Sequence, residues 1–282
     1  MSDNQNINWY PGHMAKTRRK IVESLKLVDA VIEIKDARIP YSSSNPDIAE
    51  IVGPKPRIVL LNKSDLANAN ITNEWISFYK KSGIIALPID CKTGSGIKQF
   101  FAAVNSVLQQ KVQKNKDRGI NKALRFLVVG IPNVGKSSFI NRLCDKKAKV
   151  EDRPGVTRGN QWFSAKNNYL FLDTPGVLWP KFEDSTVGEH LAITGAVKDT
   201  ILNIEEIAVS FLNIIKSDYG NNLKERYSVD YAEDSYFMLE AIGKARGMLV
   251  RGGETDTERA ATMLIDEFRA GKIGRISLER PE

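Results

Sequence analysis

Gly130-Ile-Pro-Asn-Val-Gly-Lys-Ser137 decides how this chain of 282 residues is read. The stretch fits G-x-x-x-x-G-K-[ST]. It stands between an apolar run, Leu124 to Val129, and a helical pattern, Ser137 to Leu143. Strand, glycine loop and helix in that order make a phosphate cradle. The glycines let backbone N–H groups close around phosphate oxygens, and the helix N-terminus adds partial positive charge. Lys136 is expected to reach the β- and γ-phosphates and Ser137 to ligate Mg²⁺. Asn133, Val134, Gly135 and Ser138 complete the expected cradle.

Upstream, Asn62-Lys63-Ser64-Asp65 follows an apolar run, Arg57 to Leu61. An Asp here accepts from both N1–H and the N2 amino group of guanine, which adenine does not offer. The wrong base would leave the carboxylate unpaired, so such a site rejects it and argues against an ATPase. After the next strand, Ile84 to Ile89, comes Asp90-Cys91-Lys92, whose backbone N–H groups suit guanine O6. Downstream, Asp173-Thr-Pro-Gly176 ends a strand. Asp173 is expected to hold Mg²⁺ through water, Gly176 N–H to sense the γ-phosphate, and Thr157, in the loop Arg153 to Thr157, to ligate Mg²⁺.

These are the guanine-nucleotide motifs of GTPases in an unusual order. Base recognition comes first and the phosphate loop later, so the chain resembles the circularly permuted GTPases. Alternating strands and helices predict a parallel α/β sheet with helices on both faces. Beyond about Ser185 only helical spacing remains: Leu191 to Leu202, Ile204 to Ile215, Ser235 to Lys244 and Thr257 to Phe268. The expected layout is a permuted GTPase domain over 1–184 and a smaller, mostly helical domain over 185–282. Gln113 to Lys122 is expected to be a linker joining the ordinary termini. The order of motifs puts both chain breaks beside the γ-phosphate, so a change of nucleotide is expected to move the helical domain.

Trp9-Tyr-Pro-Gly-His-Met-Ala-Lys16, Asp36-Ala-Arg-Ile-Pro40, Leu178-Trp-Pro-Lys-Phe-Glu183 and Gly195-Ala-Val-Lys-Asp199 narrow the likeness. With the nucleotide motifs, they resemble the ribosome biogenesis GTPase A family over nearly the whole chain. One departure is Asp90-Cys91 where Ser-Ala is frequent. The resemblance implies a cytoplasmic bacterial factor that binds the large ribosomal subunit precursor, both rRNA and ribosomal proteins, and hydrolyses GTP there. It also implies a K⁺ ion held by Asn133 near the β,γ-bridge. A second reading is a GTP-gated protein-interaction switch with little RNA contact.

Val177 occupies the place where many GTPases put a water-orienting Gln, and it has no hydrogen-bonding group. His13 lies in the segment expected beside the γ-phosphate, and the family motif points the same way, so it is the expected positioner of the attacking water. The K⁺ at Asn133 would supply charge that an arginine finger supplies elsewhere; the alternatives to it are a simple loop hydrogen bond of Asn133, an arginine from a partner, Arg38 and Arg158. His190, the other histidine, is read as structural.

The net charge is +7. Residues 185–282 carry 12 basic and 17 acidic side chains, whereas the preceding 184 carry 29 and 17, so the basic surplus sits with the phosphate loop. That bias favours nucleic-acid contact. In the acidic part, Lys244-Ala-Arg246 with Arg251, and Arg269 with Lys272 and Arg275, are candidate phosphate contacts. Cys91 and Cys144, far apart, fit reduced thiols rather than a metal or disulfide pattern. No apolar run of membrane-spanning length and no secretory leader are seen. A monomer without membrane contact is expected.

Overall fold

The structure is a computed structural model. It describes residues 11–150, 161–174, 185–197, 203–230 and 234–282, of which 11–17 and 145–150 are described by backbone alone. A seven-stranded sheet runs in the order β3-β2-β1-β4-β7-β6-β5. The strands are β1 (Ala30–Asp36), β2 (Arg57–Asn62), β3 (Ile85–Pro88), β4 (Leu124–Val129), β5 (Cys144–Val150), β6 (Trp162–Ala165) and β7 (Tyr169–Asp173). The first five in spatial order are parallel, and β6 and β5 run antiparallel at one edge. The sheet is therefore mixed, where a parallel one was expected. The 3₁₀ turn Lys166–Asn168 is short enough to join β6 and β7 as a hairpin, which forces opposite directions.

Strand order reverses between β1 and β4. Successive strands then move outward on both sides, and the crevice between them opens at the carboxyl ends of the strands. Asp36, Asn62, Val129 and Asp173 all end their strands along this edge. Alternate residues serve the two faces. Ile32, Phe126 and Phe171 face one apolar core, while Val31, Leu127 and Leu172 face another with Ile21 and Ile48. The first core continues into the helices α7 (Ser185–Ile193), α8 (Ile204–Tyr227), α9 (Ser235–Ala245) and α10 (Thr257–Arg269) through Leu191, Phe211, Leu239 and Leu264.

The helices α1 (Pro11–Leu25), α2 (Pro46–Val52), α3 (Ala69–Lys81), α4 (Ile97–Val107), α5 (Gln109–Asp117) and α6 (Lys136–Leu143) flank the sheet. Pro11-Gly12 lies in the first turn of α1, where proline's missing N–H is no loss. Val22 is 44% exposed, while Ile21 and Leu25 of the same helix are buried. The first half of the expected linker, Gln113 to Asp117, is helical. Its straight-chain Gln and Lys residues favour a helix, Gln113 bonds Asp117 one turn on, and Lys111 pairs with Asp29. Helix α7 ends at Ile193, short of the expected Leu202, with Gly195 at φ +75° in the closing turn. Helix α8 outruns its expected end at Ile215, and Gly220-Asn-Asn222, poor helix formers, masked its second half.

Candidate functional site

The phosphate loop follows β4 and meets α6 at Gly135, at φ +103°, with no side chain capping the helix. By contrast α3, α8, α9 and α10 start on capping Asn or Asp residues. The first N–H groups of α6 are thus left to a ligand anion. Both loop glycines are sterically required. A Cβ on Gly130 would lie 2.4 Å from the Ile34 carbonyl, and one on Gly135 2.3 Å from Asn62 Nδ2. Val134 is buried, while Asn133, Ser137 and Ser138 are exposed. Lys136 folds back to donate to the carbonyls of Gly130 (3.0 Å) and Ile131 (2.8 Å). Burial pulls its pKa down to about 8, against the opposing charge of Asp173.

Asp173 ends β7, with its carboxyl pushed up by burial and pulled back by Lys136. Its Oδ1 is buried and, among the described residues, has no hydrogen-bond partner. An orphaned carboxylate oxygen is costly unless something binds it. With the exposed Ser137 hydroxyl it offers hard oxygen donors, which fit Mg²⁺. When bound, that ion would supply positive charge beside the phosphates.

The base motifs meet this loop through Asn62. Its Nδ2 donates to the Val134 carbonyl (2.6 Å), and its Oδ1 accepts from Cys91 N–H (3.1 Å). One buried side chain thus ties three segments together. The Cys91 N–H proposed for guanine O6 is already donated to Asn62, and the Lys92 N–H to Asp90 Oδ1 (2.7 Å). These bonds shape the loop, and a base contact there has to share them. Lys63, at φ +61°, pairs with Asp36 Oδ2 at 3.0 Å, which keeps its charge off the cavity it lines. Asp65 is exposed. Asn62, Lys63, Asp65, Cys91, Lys92, Asn133, Gly135 and Ser138 line one cavity of about 250 Å³ with Arg38, Thr194 and Arg269. A larger concavity of about 690 Å³ on the helical side carries Glu189, Glu205 and Glu206, the wrong charge for phosphates.

His13 falls in the first turn of α1, its side chain outside the described residues. Thr157, Arg158, Gly176 and Val177 lie outside them entirely. The Asn133 amide donates to the Gly195 carbonyl (2.8 Å), joining the phosphate loop to the turn after α7. His190 is buried, with Nδ1 2.8 Å from Glu279 Oε1 and 3.1 Å from Ser42 Oγ, as a structural role requires.

Arg38 is engaged within the fold. It is 1% exposed, forks onto Asp36 at 2.9 and 2.7 Å, and stacks over Phe268 of α10. Burial alone would push the Asp36 carboxyl up. Arg38 and Lys63 overrule it and hold it well below the usual carboxylate range. The arginines read as phosphate contacts are also engaged. Arg246 donates to the Arg226 carbonyl, Arg269 to the carbonyls of Ile193 and Ala192, and Arg275 to those of Asp65 and Ser64. Their backbone partners lie far away in sequence, so charge clustering gave no sign of them.

The strand order, the phosphate loop and the base motifs ahead of it define a P-loop GTPase of circularly permuted order. The family model described as a 50S ribosome-binding GTPase matches residues 125–239. Ribosome biogenesis GTPase A of Priestia megaterium is 50% identical over 279 residues, 98% of this chain and 97% of that protein. Its Bacillus cereus counterpart is 48% identical over 98% of this chain and 94% of its own length. The GDP-bound structure of TM YlqF superposes with a TM-score of 0.69 at 30% identity, covering 93% of this chain and 99% of that one. The chain belongs to the ribosome biogenesis GTPase A family, and its reaction is GTP hydrolysis.

Proposed function

We propose that this GTPase is a cytoplasmic assembly factor for the large ribosomal subunit. It binds the precursor particle, rRNA and ribosomal proteins together, in its GTP form and leaves on hydrolysis. The relatives' names support the ribosomal assignment, and the basic surplus of residues 1–184 supports an RNA-bearing partner. In this reading residues 1–184 are the switch and 185–282 the unit that it moves, and the protein acts as a monomer. Among the described residues no helix is long and apolar enough to cross a membrane.

The observation that carries the reading is the Asn133–Gly195 bond. It joins the phosphate loop to the helical side, so an event at the phosphates has a route outward. Asp65 selects guanine, Ser137, Thr157 and Asp173 hold Mg²⁺, and the Gly176 N–H senses the γ-phosphate. Asn133 turns its donor end to Gly195, leaving Oδ1 as the end suited to K⁺. With Val177 unable to orient water, His13 does so.

The test is GTP hydrolysis by the wild type and His13→Ala, with and without large-subunit particles, in K⁺ and in Na⁺ buffer, with nucleotide affinity measured alongside. The expected outcome is particle-stimulated turnover in K⁺ that His13→Ala loses by about 10²-fold or more at unchanged affinity. Stimulation that survives in His13→Ala would move water positioning elsewhere. Absent stimulation in both proteins would defeat the ribosomal assignment.

A further inference from the structure

The base-recognition loop is braced by the far end of the chain. Ser64 is anchored on its inner side, where its N–H and hydroxyl both donate to the Ile89 carbonyl at 3.1 and 2.9 Å. The carbonyls on the loop's other side accept from residues after α10. Arg275 Nε donates to the Asp65 carbonyl and its second guanidinium nitrogen to the Ser64 carbonyl, both at 3.0 Å. Ile276 N–H donates to the Leu66 carbonyl at 3.0 Å. Three consecutive carbonyls are thereby held by two consecutive residues. The strap continues, with Ser277 Oγ accepting from Asn68 N–H, Leu278 N–H donating to the Arg38 carbonyl, and Glu279 accepting from Tyr41 and Ser42 N–H. It packs too closely for larger residues at one point, since a Cβ on Gly271 would lie 2.6 Å from Leu66 Cδ2.

We propose that Arg275 is a positioning residue for guanine selection, fixing the peptide planes on either side of Asp65 and so the aim of its carboxylate. This rests on the reading of Asp65 as the guanine acceptor. A planar fork suits two adjacent carbonyls, where a lysine ammonium is a point charge. Arg275 itself is exposed, so its bonds concern the loop more than the core. Discrimination between guanine and a base lacking the N2 amino group depends on where that carboxylate sits. Overall phosphate affinity does not.

The experiment measures GDP, IDP and XDP affinity for wild type, Arg275→Ala, Arg275→Lys, Asp65→Asn and Arg280→Ala, with thermal melting of each. Arg280 lies on the same strap but pairs with Glu74 and Asp218 at the surface. The GDP-over-IDP preference is expected to fall about tenfold in Arg275→Ala, partly in Arg275→Lys, and not in Arg280→Ala, the scale being that of lost charge-assisted hydrogen bonds. A merely structural role would weaken both nucleotides alike. If Arg275→Ala melts before binding is measured, Arg275→Lys carries the comparison. An unchanged ratio in the Arg275 variants, with Asp65→Asn shifting preference toward XDP, would overturn the positioning role and leave the base reading intact. An unchanged guanine preference in Asp65→Asn would instead remove the base reading itself.

Discussion

At the base end of the cavity every element is cross-braced. Asn62 is held from Val134 and Cys91, Lys63 from Asp36, and Ser64 and Asp65 from Arg275. At the phosphate end the polar groups are poised and underused. Among the described residues Lys136 bonds its own loop carbonyls, Asp173 Oδ1 has no partner, and α6 opens on an uncapped glycine. Choosing a base is a fixed geometric demand, so it is met by a fixed loop. The phosphate end has to accept charge that differs between GTP and GDP, so its groups are buried, strained in their ionisation and ready to change partners. The difference separates selection from chemistry within one candidate site.

The largest expected effect removes the cation from the phosphate end. Lys136→Ala should lower GTP turnover by on the order of 10³-fold, a scale set by the loss of a charge aimed at the reacting phosphate. Its melting temperature should hold or rise, because a buried ammonium is gone. Steady-state hydrolysis beside a melting curve checks both; a turnover loss under tenfold would show that another group carries the charge.

Asn62→Ala attacks the joint between the two ends. It leaves the Val134 carbonyl and the Cys91 N–H unpaired, which costs about 2–4 kcal/mol. Urea unfolding with and without GDP should show lower stability and weaker GDP binding together. If only GDP binding suffers, the two ends stand independently and the brace described above is not structural.

The smallest effect is a pH dependence. Burial brings Lys136 to about 8 from 10.5. Between those values the folded chain holds fewer protons than the unfolded one, so this residue's contribution to stability rises with pH across that window. Nucleotide binding runs the opposite way, because phosphate favours the ammonium. GDP affinity should be level below about pH 8 and fall several-fold by about pH 9. Calorimetry at about pH 8.5 in buffers of unequal ionisation enthalpy should register proton uptake on binding; no uptake would mean that Lys136 is already charged.

The phosphate loop was legible because its chemistry is local: strand, glycines, Lys136 and Ser137 are contiguous. So were β4 and the ends of α9 and α10, whose periodicity matches their burial. β1 was legible as a buried strand from Ala30 to Ile34, and all seven of its residues are buried, but the sequence does not say what satisfies its charged Glu33, Lys35 and Asp36. Lys35 bonds Ser44 and Tyr79 at 2.8 Å, and Glu33 meets Arg57 at 3.3 Å. For Lys35, burial pulls downward, but Glu33 and Tyr79 prevail and the net shift is upward. Those partners come from the next loop, the next strand and the next helix. Composition weights a charge by its number, whereas the fold weights it by a neighbour that the sequence does not place. Arg38 and Arg275 escaped for the same reason.

The strap also sets a clock on synthesis. Arg275 follows Asp65 by 210 residues. At the roughly 5–20 residues per second of translation, the loop leaves the ribosome about 10–40 s before its brace. Through that interval the growing chain has a base loop, and later a phosphate loop, without the contact that steadies Asp65. Fragments from interrupted translation share this condition.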